Sequence, residues 1–169
     1  MNNDRIMTVA VITVSDKGYA GTRQDLSGPA LCERFVEEGW VVIHTAIVPD
    51  EIDMIKAELI KSCDELKADL IVTTGGTGFS QRDITPEATK AVCERDIPGI
   101  PEAMRAESMR ITPKGCLSRG TAGLRGQAFI VNCPGSRKAA IECINAVMPA
   151  LKHGVIMAQT FGSADCAEQ

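Results

Sequence analysis

Met7 to Val14 reads MTVAVITV, a run of β-branched and apolar residues interrupted only by Thr8 and Thr13. It is too short for a typical helix and lacks the alternation of a half-exposed strand. It therefore predicts a strand buried on both faces, as in a parallel sheet. A polar loop follows from Ser15 to Asp25. From Leu26 to Glu38 the spacing of Leu31, Phe35 and Val36 is that of an inner helical stripe, with Asp25 or Ser27 as cap and Gly39 as terminator. Trp40 to Val48 predicts a second strand. Asp50, with Asp53 three residues on, opens a second helix whose stripe is Ile52, Ile55, Leu59 and Ile60. Asp69 to Thr74 predicts a third strand, which runs into Gly75-Gly76-Thr77-Gly78.

Beyond the glycines, two helices are expected, each with a proline just inside its start: Pro86 behind a capping Thr85, and Pro101 behind Ile100. Ala128 to Asn132 is a further buried strand, and Ser136 caps a last helical region that Pro149 divides in two. Strands alternating with helices point to an α/β fold, a three-layer sandwich with a mainly parallel sheet flanked by helices. The chain of 169 residues, 44% hydrophobic and 24% charged, fits one globular domain spanning residues 1–169.

Charge and cysteine usage narrow the function classes. The net charge of −4 disfavours nonspecific binding to nucleic acid or to anionic membranes, and an aromatic content of 4% argues against base-stacking platforms. Six basic residues and no acidic one lie between Ser108 and Lys138: Arg110, Lys114, Arg119, Arg125, Arg137 and Lys138. Such a segment suits a compact polyanion such as phosphate, or else forms a solvated face. The seven cysteines include no C-x-x-C pair and no zinc-ligand spacing, so they read as small buried hydrophobes in a reducing cytoplasm. The N-terminus lacks the pattern of a signal peptide, and no stretch approaches the ~20 apolar residues of a membrane span. A cytoplasmic protein is expected.

In open α/β sheets, ligands bind outside the carboxyl ends of the strands. The segments leaving those ends are Ser15-Asp16, Pro49-Asp50, the glycine loop and Pro134-Gly135-Ser136, all expected at one edge. Thr73-Thr74-Gly75-Gly76-Thr77-Gly78 lets backbone N–H groups approach an anion, although a plain tight turn fits equally. It matches neither the Walker loop nor G-x-G-x-x-G. Asp50 and Asp83 are the carboxylates expected at the ligand edge, able together to hold magnesium against phosphate oxygens, or singly to cap helices. The stretch from Leu117 to Gly126 interleaves arginines with small residues, which suits phosphate or an ordinary loop. His44 and His153 read as structural, and no Ser/His/Asp or Cys/His nucleophile can be assembled.

Taken together, TVSD (residues 13–16), DLSGP (25–29), IVPD (47–50), TTGGTG (73–78), RDITPEAT (82–89), EAMR (102–105), LSRGTAGLRG (117–126) and NCPGS (132–136) closely resemble the MogA-type molybdopterin adenylyltransferases and the related G domain of gephyrin. The resemblance runs from about Met7 to about His153. It implies a cytoplasmic homotrimer of molybdenum cofactor biosynthesis that uses magnesium and ATP to attach AMP to the terminal phosphate of molybdopterin, releasing pyrophosphate. It also implies a downstream molybdenum-insertion enzyme as partner.

Carried onto this sequence, Asp50 and Asp83 are the catalytic and metal-binding residues, and Gly75, Gly76, Thr77, Gly78, Ser15 and Asp16 hold the nucleotide. Ser118, Arg119, Pro134, Gly135 and Ser136 lie on the molybdopterin side. Lys17 stands where many relatives have Arg, and Cys133 where Leu is common. The alternatives are a MoaB-like molybdopterin-binding protein or a scaffold module without adenylyl transfer. The Arg-Asp and Thr-Pro-Glu-Ala-Thr of this chain favour the transferase. A competence-damage-protein-like hydrolase is disfavoured by the glycine loop.

Overall fold

The computed structural model describes residues 5–159. In chain order the elements are β1 (Thr8–Val14), α1 (Asp16–Tyr19), α2 (Ser27–Glu37), β2 (Val41–Val48), α3 (Ile52–Ile60) and β3 (Leu70–Thr74). They continue with α4 (Thr85–Val92), β4 (Arg95–Asp96), α5 (Gly99–Ile111), β5 (Ala122–Arg125), β6 (Ala128–Cys133) and α6 (Arg137–Gln159). A π-helical turn (Lys61–Glu65) follows α3, and a 3-10 turn (Pro113–Leu117) follows α5. Among the described residues no helix is long and apolar enough to cross a membrane.

The six strands form one sheet in the order β2-β1-β3-β6-β5-β4. β2, β1, β3 and β6 are mutually parallel, whereas β5 runs antiparallel to both β6 and β4. This is the mainly parallel α/β sandwich that the sequence pattern predicts. The continuous apolar runs have their cause in the two cores. Val9 and Val11 of β1, Leu70 and Val72 of β3, and Phe129 and Val131 of β6 pack under α2, α5 and α6. Their alternates Ala10, Ile12, Ile71 and Ile130 pack under α3 and α4. Because both faces are covered, neither needs polar residues.

Several local expectations are corrected. In α2, Leu31 and Phe35 are buried, but Val36 faces solvent, because the contact stripe follows i, i+4 and leaves the next residue about 100° around the helix. Ile52 is also exposed, because it is the first residue of α3 and stands at the end of the stripe that Ile55 and Leu59 carry. Pro149 does not divide the last helix: α6 is continuous. Its buried line through Cys143, Ile144, Val147, Met148 and Leu151 passes the proline, and that packing offsets the lost backbone bond. Thr85 does not cap α4; it lies inside the helix, and its hydroxyl donates to the carbonyl of Gly75 at 2.9 Å. Asp25, rather than Ser27, satisfies the start of α2, its Oδ1 accepting from the backbone N–H groups of Ser27 and Gly28. Cys63, Cys133 and Cys143 are buried as expected, but Cys116 is exposed, and Cys166 lies outside the described residues.

Candidate active site

Parallel pairing brings the carboxyl ends of β1, β2, β3 and β6 to one edge of the sheet, and there a cleft of about 520 Å³ opens. Its floor is Thr74, Gly75 and Gly76, and its walls include Ser15, Asp50, Asp83, Gly135 and Ser136. The close packing of the floor demands glycine. Gly75 has φ +107°, and a side chain on it would collide with the carbonyl of Val14 at the end of β1. Gly76 has φ +64°, and a Cβ there would collide with Thr85 Oγ1 and come within 3.2 Å of Asp50 Oδ1. The loop is fixed by Gly75 N–H to the Cys133 carbonyl at 3.1 Å, and by the Thr74 hydroxyl donating to the Pro134 carbonyl at 2.7 Å.

The two carboxylates are not helix caps. The cap position of α3 is Glu51, and that of α4 is Ile84; neither makes a side-chain capping bond. Asp50 Oδ2 instead accepts the backbone N–H of Asp16 at 2.9 Å, while Asp16 Oδ1 accepts that of Asp50 at 3.0 Å. Asp83 Oδ2 accepts the N–H of Ser80 at 2.8 Å and closes the turn that carries it. Each of the two keeps its Oδ1 without a protein donor among the described residues.

Electrostatics separates these acids. Burial pushes the Asp50 carboxyl above its usual range, with the charges of Asp16 and Asp83 adding to the shift against the Asp16 N–H. Asp16 is held low by the Arg82 guanidinium and then by the Asp50 N–H. Arg82 reaches Asp16 at 2.9 Å and Glu51 at 2.8 Å, so those two acids already share a cation. Asp50 and Asp83 have no such cation paired with them among the described residues. Among the described residues no group of three or more His, Cys, Asp or Glu side chains is arranged for a metal ion. Two free carboxylate oxygens in one cleft are, however, the donor set that magnesium takes from a protein when phosphates and waters supply the rest.

The structure does not bring all the sequence-predicted residues together. Ser15, Asp50, Gly75, Gly76, Asp83, Gly135 and Ser136 line the cleft, and Asp16 adjoins it through Asp50. Pro134 adjoins it through Thr74. Thr77 is buried, and its carbonyl accepts the N–H of Arg119. Gly78 does not line the cleft: its carbonyl accepts from Arg119 Nε at 2.7 Å, and a Cβ on it would come within 2.9 Å of Asp83 Oδ2. The rest of the Arg119 guanidinium donates to the Asp83 carbonyl and to Glu87, whose carboxyl it holds below the usual range. Arg119 is thus a strut behind the glycine loop. Ser118 lies in a separate small recess with Arg105, Ser108 and Asn132.

The basic run in the sequence is likewise dispersed in space. Arg110 pairs with Glu107, Arg125 with Asp64, and Lys138 with Glu142, leaving Arg137 as the member that lines the cleft. Sequence reasoning missed Thr13, Arg23, Gln24, Asp25 and Ser27 as cleft residues. The DLSGP motif was the available signal: Asp25 Oδ2 accepts the Thr13 hydroxyl at 2.5 Å, and a Cβ on Gly28 would strike both.

An open α/β sheet with a polar cleft at the carboxyl ends of its parallel strands defines the class, one whose ligands sit at that edge. The chain belongs to the family described as "Probable molybdopterin binding domain", whose model matches residues 10–153. It is 46% identical to the "Molybdopterin adenylyltransferase" of Helicobacter pylori strain J99 over 149 residues, covering 87% of this chain and 85% of the relative. The protein of that name from Escherichia coli K12 is 35% identical over 161 residues, covering 88% and 80% of the two chains. Among solved structures, the "Molybdopterin biosynthesis enzyme MoaB" of Thermus thermophilus superposes with a TM-score of 0.84 at 45% identity, covering 90% of this chain and 96% of that one.

Proposed function

We propose that this chain is a molybdopterin adenylyltransferase, transferring AMP from magnesium-ATP to the terminal phosphate of molybdopterin in molybdenum cofactor biosynthesis. The observation that carries the reading is the convergence of Asp50 and Asp83 on the glycine-floored cleft. Close relatives of that name over most of the chain support it. In the reaction, an oxygen of the molybdopterin phosphate attacks the α-phosphorus of ATP. The new P–O bond forms as the bond to the bridging oxygen breaks, and pyrophosphate leaves with that electron pair.

The residues of the chain contribute positioning more than covalent chemistry. Gly75 and Gly76 let phosphates approach the backbone without side-chain obstruction. Asp50 and Asp83 would hold magnesium through their free oxygens and keep it beside those phosphates. Magnesium, when bound, supplies charge neutralisation between two anionic reactants. The clasp of Asp50 to Asp16 fixes the first carboxylate, and Arg119 fixes the backbone that carries the second. The resemblance supports a cytoplasmic homotrimer acting ahead of a molybdenum-insertion enzyme, with the pterin side near Gly135 and Ser136. Incubation with ATP, magnesium and molybdopterin tests the reading: pyrophosphate and adenylylated molybdopterin should form in equal amounts.

A further inference from the structure

The charged groups of the cleft can be sorted by whether the protein already satisfies them. Asp25 is saturated, its two oxygens accepting from the Thr13 hydroxyl, the Ser27 hydroxyl and the N–H groups of Ser27 and Gly28. Asp50 and Asp83 each retain one oxygen. On the cationic side, Arg23 and Arg137 line the cleft, and both are exposed. Among the described residues neither has an acidic partner or a side-chain hydrogen bond. The neighbouring arginines are committed: Arg82 to Asp16 and Glu51, Arg119 to Glu87, and Arg125 to Asp64. What remains unpartnered in this one cavity is two carboxylate oxygens and two guanidinium groups.

Those leftovers are complementary to a metal-bound phosphate chain. The carboxylates suit the cation, and guanidinium groups present paired N–H donors that match phosphate oxygens. The arginines come from separate parts of the chain, Arg23 from the loop between α1 and α2 and Arg137 from the first residue of α6. They meet at the cleft only through the fold. We propose that Arg23 and Arg137 together form the cationic grip on the phosphate groups of the substrates, a role for which the basic run in the sequence makes Arg119 one candidate. The inference rests on the proposed transferase reading for the identity of those phosphates. Two phosphate sources share this chemistry: the tail of ATP that leaves as pyrophosphate, and the phosphate of molybdopterin.

Calorimetric titration of inorganic pyrophosphate, with magnesium present, tests the grip without catalysis. It compares the wild type with Arg23→Gln, Arg137→Gln and, as a control outside the cleft, Arg110→Gln. The expected result is a loss of about tenfold or more in affinity for each cleft variant, a weaker dependence on salt, and no change for the control. Arg→Lys at either site keeps the charge and should recover part of the loss, which also guards against a variant that fails to fold. The proposal is overturned if the wild type binds no pyrophosphate, if either cleft variant retains wild-type affinity, or if the control weakens as much.

Steady-state kinetics then separates the sources, since either substrate's KM can rise. A rise in KM for ATP assigns the grip to the departing pyrophosphate, and a rise in KM for molybdopterin assigns it to the acceptor. Both support a phosphate grip, and unchanged KM values for both substrates overturn it. A wild type that binds pyrophosphate yet transfers no AMP leaves the grip standing and removes the proposed function. A wild type that transfers AMP while the cleft variants bind and react normally does the reverse.

Discussion

Asp16 and Asp50 hold each other by their backbones: each carboxylate accepts the other's N–H, at 3.0 and 2.9 Å. The reciprocal clasp ties the exit of β1 to the exit of β2, and it does so with charged groups at the mouth of the cleft. Arg82 neutralises the Asp16 side, so the negative charge presented inward belongs to Asp50. A residue that looks like a helix cap in the sequence is thereby fixed in place at the cleft wall.

The clasp separates charge from shape at Asp50. Asp50→Asn keeps an oxygen able to accept the Asp16 N–H, whereas Asp50→Ala removes it. Both variants should lose adenylyl transfer by about 10²-fold or more. Only the alanine variant should also lose about 1–3 kcal/mol of stability, because it leaves the Asp16 N–H without any side-chain acceptor. Chemical denaturation beside the transfer assay checks this, and equal destabilisation by both would reject the separation.

Gly76 should tolerate no side chain, because both its backbone and its surroundings forbid one. Gly76→Ala meets φ +64° and a collision with Thr85 Oγ1, the hydroxyl that secures the Gly75 carbonyl. Gly21 provides the comparison, with φ +70° but open space around its Cβ position. Gly21→Ala should cost only the conformational penalty of about 1–2 kcal/mol and retain activity. Gly76→Ala should cost more and abolish ATP binding. Thermal denaturation and calorimetry on both variants provide the comparison.

Arg119 braces the loop from behind, so its removal should act through position. Arg119→Ala loses the bonds to the carbonyls of Gly78 and Asp83 and the pair with Glu87, lowering stability by about 1–3 kcal/mol and slowing transfer. Arg119→Lys should recover little of either, since an ammonium cannot reproduce the fork. The salt dependence of ATP affinity should stay that of the wild type, because the contacts are internal. A variant with a clearly reduced salt dependence would place Arg119 on the substrate instead.

Acid should loosen the far side of the molecule through Asp64. Arg125 holds that carboxyl below its usual range while also donating to the Val92 carbonyl, linking the turn after α3 to β5 and the end of α4. A carboxyl whose pKa is depressed on folding contributes stability above its unfolded value and loses it as pH falls through the folded one. Melting temperature should therefore decline, as pH falls through and below the ordinary carboxylate range, more steeply in the wild type than in Asp64→Asn. Parallel curves would mean that the pair adds nothing to stability.

How far the sequence could be read depended on the reach of each interaction. Strands β1, β3 and β6 were legible because burial on both faces forces continuous apolar runs such as TVAVITV, whereas the edge strand β2 was legible from its β-branched composition alone. The two-residue β4 and the Ala-Gly-Leu-Arg of β5 carry no such signal; cross-strand pairing alone makes them strands. Asp50 and Asp83 could be placed at the ligand edge because strand ends converge in a parallel sheet. The partners of the arginines could not. Arg119 and Glu87 meet across the glycine loop, and Arg23 and Arg137 meet the cleft from 114 positions apart in the chain, which charge counting along the sequence does not register.

Asp50 and Asp83 are proposed to make this cleft an adenylyl-transfer site. The most direct test of that role follows radiolabelled AMP from α-labelled ATP into molybdopterin, comparing the wild type with Asp50→Asn and Asp83→Asn at matched folding. Labelled product with equimolar pyrophosphate should form with the wild type, with a fall of about 10²-fold or more in each variant while its melting curve is retained. No labelled product from the wild type, or wild-type turnover in either variant, would contradict it.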